Sequence, residues 1–464
     1  MESTALEKTT SGSTGAARQR ALTFGLCMAV VAIAFEAISV ATAMPAAARQ
    51  LNGLDLYAWV FSAFLIGQLL ATVAAGRLCD RIGVARPMIG GVLLFAVGLT
   101  TSATAVTMEQ LITGRFLQGL GAGLVSVAMY VVIAQMYDER RRPTMFSYIS
   151  SAWVVPSFVG PTVAAWLTHH ASWRAVFWAV LPVLAIGAAL MLPPVVRAAR
   201  TRPPRDPSAA PGAALWAAGL AALGAAAVQL AGQRISPLGL LIGTVGLVLV
   251  AVSLPQLMPR GFFRFGPGLA PVITVRALIA GAFFGAEAFV PLMLVEQRQL
   301  SLLVAGSTLT VGAVGWSFGA WLQSLRRLPL RRDQVITMGA ACVLVGVGLV
   351  SLVAWRQWWV GVVAVAWVFA GVGMGLATSS TSLATMTLSK AGEQGRNASS
   401  LQFGDAFGGG FFLGIGGTIF AAVRPSGNLT ITFGCVLTAM TVVAGLAVLT
   451  SLRTGPIGAP VRPE

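Results

Sequence analysis

The stretch "LTFGLCMAVVAIAFEAISVATAMP", residues 22–45, is apolar or small at almost every position and is long enough to cross a bilayer, which takes about 20 helical residues. One residue breaks the pattern. Glu36 stands near the middle, where an ionised carboxylate costs at least about 2.5 kcal/mol on insertion scales and therefore faces a wet cavity or a partner. Similar apolar runs recur at 57–75, 87–107, 110–136, 145–168, 174–195, 212–231, 238–255, 272–294, 299–323, 333–355, 358–388, 400–422 and 428–451. The whole chain is 56% hydrophobic and 10% charged, where a soluble domain carries about a quarter charged residues. These patterns imply an all-α, multi-pass membrane protein of fourteen helices. "ATAMPAAARQ" contains the Ala-x-Ala of a signal-peptide cleavage site, but the apolar run is too long for an h-region and follows a polar leader, so the first span is expected to be retained.

The formal charge of +16 does not point to nucleic acid, because the basic residues punctuate apolar runs instead of clustering on a soluble face. They report topology. With the N-terminus inside, 23 Lys and Arg fall in inner segments and 6 in outer loops, while Arg115 and Arg276 lie within helices. The positive-inside rule then places both termini in the cytoplasm of a cell-membrane protein. Cys27, Cys79, Cys342 and Cys435 are dispersed, with neither disulfide nor metal spacing.

The halves repeat each other. "RQL" at Arg49 recurs at Arg298, Gly98 matches Gly348, and the Gly-x-Gly-x-Gly of 119–123 matches that of 371–375, at offsets of 249 to 252. Two six-helix bundles, 22–195 and 272–451, are therefore expected, with 196–271 supplying a central loop and two inserted helices between them. Residues 1–21 and 452–464 are expected to be cytoplasmic tails. Parallel six-helix repeats are the plan of many secondary transporters, whose sites lie near the midplane between the halves. An offset of 251 carries Glu36 onto Glu287, so each half holds an intramembrane acid; Asp405 is a third, a candidate cavity or gate residue.

Between the second and third helices stands "GRLCDRIGVARP", which resembles the loop signature of the major facilitator superfamily at Gly76, Leu78, Asp80, Arg81 and Gly83. "ITGRFLQGLGAG" resembles its fourth-helix motif, carrying Arg115 and Gln118, and "VPSFVGPTVAA" resembles the antiporter motif at Pro156, Gly160 and Pro161, with Ala164 and Ala165 in place of its closing glycines. Fourteen helices and an acid nine positions before Pro45 are similar to the drug:proton antiporter branch. The resemblance implies alternating access, proton coupling through Glu36, Glu287 and Arg115, a cytoplasmic gate at Gly76, Asp80, Arg81 and Gly83, and export of small lipophilic, often cationic compounds by a functional monomer. It implies no cofactor, the proton gradient being the driving force.

Two other readings stand beside this one: a same-fold transporter of a specific metabolite or lipid, and a membrane sensor that has lost transport. An enzyme or ATP-driven pump is not expected, since the chain has neither a Gly-x-x-x-x-Gly-Lys-Ser/Thr phosphate loop nor a metal cluster. A carboxylate of Glu287 is not expected to pair with Arg276, eleven residues and roughly 16 Å away on its own helix. Glu36 is expected to carry the larger share of coupling and Glu287 the smaller.

Overall fold

The computed structural model describes residues 2–138, 141–200, 215–231, 237–259, 262–324, 330–356, 358–390 and 394–457, and most side chains from residue 18 onward, that of Asp80 not among them. The chain forms helices α1 (Glu2–Gln50), α2 (Tyr57–Ile82), α3 (Ala85–Ala103), α4 (Met108–Met136), α5 (Arg142–Ala152), α6 (Val154–His170), α7 (Trp173–Arg200) and α8 (Leu215–Ala231). It continues with α9 (Pro237–Leu257), α10 (Leu269–Glu296), α11 (Leu302–Ser324), α12 (Arg332–Arg356), α13 (Gly361–Leu388), α14 (Gln394–Val423) and α15 (Leu429–Ser451). Among the described residues, twelve helices are long and apolar enough to span a bilayer without a break. The other two crossings are α8, of 17 residues, and the α5–α6 pair. That pair is split at Trp153 where the sequence suggests one run, because Pro156 has no N–H to give the carbonyl of Ala152. Fourteen crossings put both termini at one face, termed proximal; the α1–α2, α10–α11 and α14–α15 connections lie at the other, termed distal.

α1 runs proximally well beyond its apolar stretch, so the expected N-terminal tail is a helical extension, and distally past Pro45 to Gln50. The turn between α2 and α3 is tight. Gly83 holds it with φ +79°, a backbone conformation that side chains with a Cβ rarely adopt.

The repeated glycine triplets explain the internal duplication in packing terms. On α4, a Cβ at Gly119 or Gly123 would strike the α2 backbone at Phe64 or Gln68, and one at Gly121 would strike α3 at Phe95. On α13, Gly371 and Gly375 meet α11 at Gly312 and Trp316, and Gly373 meets α12 at Gly339. In each bundle one helix thus lies backbone to backbone between two others, which is how membrane helices associate without a hydrophobic driving force. The register differs in detail: Gly98 approaches Gly114 and Gln118, and the residue that makes the matching approach, to Ala366 and Ala370, is Gly346 instead of Gly348.

The bundles meet along two seams, α2 against α14 and α6 against α11, the exchange a two-fold axis produces. The inserted pair α8–α9 lies along the first seam, with α8 touching both α2 and α14. Gln229 of α8 is buried there, its amide over Gly414 of α14.

Candidate functional site

Within the first bundle, α1 delivers Glu36 and α4 delivers Arg115 to a closed polar network. Both are almost fully buried and form an ion pair. Arg115 Nε also donates to the Val60 carbonyl of α2 at 3.0 Å, its Nη1 donates to Gln118 Oε1 at 2.5 Å, and its guanidinium lies 4.5 Å over the Phe64 ring. Gln118 passes the network on, donating to the Gly98 carbonyl and to Ser102 Oγ of α3. Arg115 is the charged partner of the Glu36 carboxylate, whose oxygens make no other polar contact among the described residues. A buried guanidinium gripped by three helices is not a snorkelling side chain. Removing one member of such a pair strands a charge in low dielectric.

The second bundle fills the corresponding place differently. By the glycine triplets, Arg115 of α4 corresponds to Trp367 of α13, and Phe64 of α2 to Gly312 of α11. Trp367 is fully buried, its indole occupies the space beside Gly312, and it stacks on Phe283 of α10 at a centroid distance of 5.2 Å. Trp316 closes the cluster against Phe283 and Phe284. Glu287 stands one turn distal to Phe283, half-buried, with neither an ion pair nor a hydrogen bond to a described residue. Its sequence match to Glu36 is therefore displaced by a turn in the packing, since the residue of α10 that meets Trp367 is Phe283.

Asp405 is engaged by Arg276. The guanidinium reaches Asp405 Oδ1 at 2.5 Å, the Thr378 carbonyl at 2.8 Å and Thr381 Oγ1 at 3.2 Å, and the carboxylate keeps a quarter of its surface exposed. The sequence spacing that separates Arg276 from Glu287 agrees with this, although nothing in the sequence names Asp405 as the partner.

Three contacts join the bundles at the distal face. Arg49 at the end of α1 pairs with Glu296 at the end of α10 at 2.5 Å, Arg424 after α14 pairs with Asp55 before α2 at 2.7 Å, and Tyr57 donates to the Ala288 carbonyl at 2.8 Å. The halves are closed on each other there. Pro156, Gly160 and Pro161 are buried on α6; Gly160 lies against Phe35, Ile38 and Ser39 of α1, and the Pro161 carbonyl faces Gly306 of α11. At the proximal face Gly76, Asp80 and Arg81 fall in the last turns of α2 and Gly83 in the turn; Arg81 is exposed, and the side chain of Asp80 lies outside the described residues.

The sequence profile described as the Major Facilitator Superfamily matches residues 24–414. The chain belongs to that superfamily. Among curated relatives, an uncharacterized MFS-type transporter of Mycobacterium tuberculosis is 30% identical over 290 residues, covering 59% of this chain and 40% of that one. A probable multidrug-efflux transporter of the same species is 24% identical over 429 residues, covering 88% and 89%. An efflux pump of Penicillium rubens is 31% identical over 171 residues, 37% of this chain and 32% of the pump. This chain thus spans about two fifths of the first relative's length and nearly all of the second's. The fold is also that of solved transporters: an auto-inhibited POT family peptide transporter superposes with a TM-score of 0.67 at 16% identity, over 95% of this chain and 99% of that one. A POT family transporter in complex with 5-aminolevulinic acid gives 0.68 at 13%, over 94% and 96%. Superfamily and fold are those of multi-pass membrane transporters. The sequence places Arg276 within a helix without giving it a partner, and it does not point to the distal pairs or to the stacking of the aromatic cluster, because their meaning lies in which helix each one meets.

Proposed function

We propose that this protein is a proton-coupled antiporter that exports small lipophilic cations across the cell membrane by alternating access. The observation that carries the reading is the unequal pairing of the two intramembrane acids. Glu36 is held by Arg115 and can change its charge only by releasing that partner, which links protonation to the packing of α1, α2, α3 and α4. Glu287 has no cation of its own among the described residues and stands one turn from Phe283 and Phe284, so a substrate cation finds a carboxylate beside aromatic rings. The larger share of cation binding is therefore assigned to Glu287 and of proton coupling to Glu36. A proton and a cation compete for Glu287, so cation affinity rises with pH. The efflux names of two relatives support the direction, and the loop charges support a cytoplasmic proximal face.

The same reading takes the distal closure as the inward-open half of the cycle, with Asp80 and Arg81 serving the cytoplasmic gate of the opposite half. It requires neither cofactor nor second copy of the chain. Flux of tetraphenylphosphonium in proteoliposomes, with and without an imposed pH gradient, tests it: accumulation against the cation's gradient that collapses with the pH gradient supports antiport, and flux indifferent to the pH gradient overturns it. Single-cysteine labelling tests orientation. A probe at His169, exposed in the last turn of α6, should react from outside the cell; reaction only from the cytoplasm would invert the assigned topology.

A further inference from the structure

Four buried side-chain oxygens without a hydrogen-bonding partner lie on one side of one helix. They are the two carboxylate oxygens of Glu36, Ser39 Oγ and Thr42 Oγ1, all on α1. Ser39 is fully buried and Thr42 is 1% exposed. A helical Ser or Thr commonly bonds back to the carbonyl four residues earlier. Thr23, Ser62, Thr72 and Thr385 do so in this molecule. Ser39 and Thr42 do not, and although Thr168, Thr310, Thr378, Ser380 and Thr418 are also buried without a hydrogen bond, only Ser39 and Thr42 share a helix with Glu36; their hydroxyls are presented to the neighbouring helices.

At about 100° per residue, Glu36, Ser39, Thr42, Ala46 and Arg49 stay within roughly 140° of the helix circumference, forming a stripe from mid-membrane to the distal face. Successive hydroxyl positions rise by about 4.5 Å, a spacing that one water molecule bridges. Pro45 adds an acceptor: lacking an N–H, it leaves the Ala41 carbonyl beside Thr42 without its helical bond. Hydroxyls donate and accept at once, which a proton relay requires.

Two glycines cover the stripe. A Cβ at Gly160 of α6 would stand 3.1 Å from Ser39 Oγ, and one at Gly306 of α11 would stand 2.6 Å from Thr42 Cγ2. α6 belongs to the same bundle as α1, whereas α11 belongs to the other. Parting of the bundles at the distal face therefore breaks the Thr42 contact and keeps the Ser39 contact.

We infer that Ser39 and Thr42 are the proton-loading steps of Glu36. When the distal face opens, α11 withdraws from Thr42 and water reaches it. A hydronium ion gives up its proton; each hydroxyl accepts one proton on its oxygen as it passes its own onward, and the Glu36 carboxylate becomes a carboxylic acid, leaving water behind and releasing Arg115. With the distal face closed, Gly306 ends the path. Arg115 is the charged group facing Glu36. Of the elements packed on α1, α4 carries Glu109 in its first turn besides Arg115, the turn at 54–56 carries Asp55, engaged by Arg424, and α10 carries Arg276 and Glu296, engaged by Asp405 and Arg49, and Glu287; α11 carries none, and α5, α6 and α7 carry theirs toward the two faces.

The inference rests on Glu36 as the proton carrier. It is tested in proteoliposomes holding a pH-sensitive dye, by stopped-flow measurement of the proton flux that tetraphenylphosphonium export drives. In Ser39→Ala/Thr42→Val that flux should slow by about tenfold or more, while equilibrium affinity for the cation at fixed pH stays unchanged. Ser39→Thr/Thr42→Ser, which keeps both hydroxyls, should stay within about threefold of wild type. A wild-type flux in Ser39→Ala/Thr42→Val overturns the relay and leaves proton coupling standing; equal slowing in the hydroxyl-keeping variant reduces both residues to packing and also overturns it. Absence of coupled proton flux in the wild type removes the coupling reading itself, and the relay with it.

Discussion

In the first bundle the fourth helix lays Arg115 over Phe64 and against Glu36; in the second, the matching helix lays Trp367 into the space beside Gly312 and against Phe283, leaving Glu287 without an ion pair among the described residues. The backbone contacts that hold these helices are the same in both, glycine against backbone at matched positions. Repetition has therefore preserved the packing and released the polar residues. Where the first bundle has a charge pair the second has an aromatic stack, and Gly in place of Phe on the neighbouring helix supplies the room. The difference teaches that two acids at matched sequence positions need not do the same work, because each takes its chemistry from the helix opposite.

Breaking the charge pair should have the largest effect. Arg115→Met strands the Glu36 carboxylate, at a cost of about 3–5 kcal/mol, and Glu36→Gln in the same chain should recover most of it. Thermal unfolding in detergent reads both. Glu287→Gln should move stability by less than about 1 kcal/mol, since no buried partner is stranded. If it destabilises as much as Arg115→Met, the acids are paired alike and the contrast between the bundles disappears.

A smaller effect is expected where the aromatic stack needs space. Gly312→Phe places the first bundle's residue in the second, where the Cβ alone would stand 2.4 Å from the Trp367 ring, and overpacking of this kind costs roughly 1–3 kcal/mol. The same unfolding assay applies. An unchanged midpoint would mean that the indole does not need the glycine.

The distal pairs should contribute least to stability. Arg49→Gln or Glu296→Gln should cost about 0.2–1 kcal/mol, as partly exposed ion pairs do, while raising the labelling rate of a cysteine at Thr42 from the distal side. Unchanged labelling would remove that pair from the closure.

The spans, the duplication and the two acids were legible in the sequence because each follows from hydropathy and spacing along one helix. The break at Trp153 was written there too, in Pro156, though an apolar run masks it. What the sequence leaves open depends on contacts between helices. Arg276 lies eleven residues from Glu287 and 129 from Asp405, and only the approach of α10 to α14 selects the more distant acid. Gly346, not Gly348, matches Gly98 because the chain joining the two contact positions is four residues longer in the second bundle, 346 to 366 against 98 to 114. Ser39 and Thr42 resemble other helical hydroxyls until their unmade bonds are seen beside those of Glu36 on the same helix.

The division of labour between the acids is tested most directly by cation affinity across pH. Equilibrium binding of tetraphenylphosphonium is to be measured from acid to alkaline pH in wild type, Glu287→Gln and Glu36→Gln. Wild-type affinity should rise with pH, as proton and cation compete for Glu287. Glu287→Gln should lose about tenfold or more in affinity together with that dependence, whereas Glu36→Gln should keep both and lose pH-gradient-driven flux. Retention of affinity and slope in Glu287→Gln, with their loss in Glu36→Gln, would contradict the account and return the cation to Glu36.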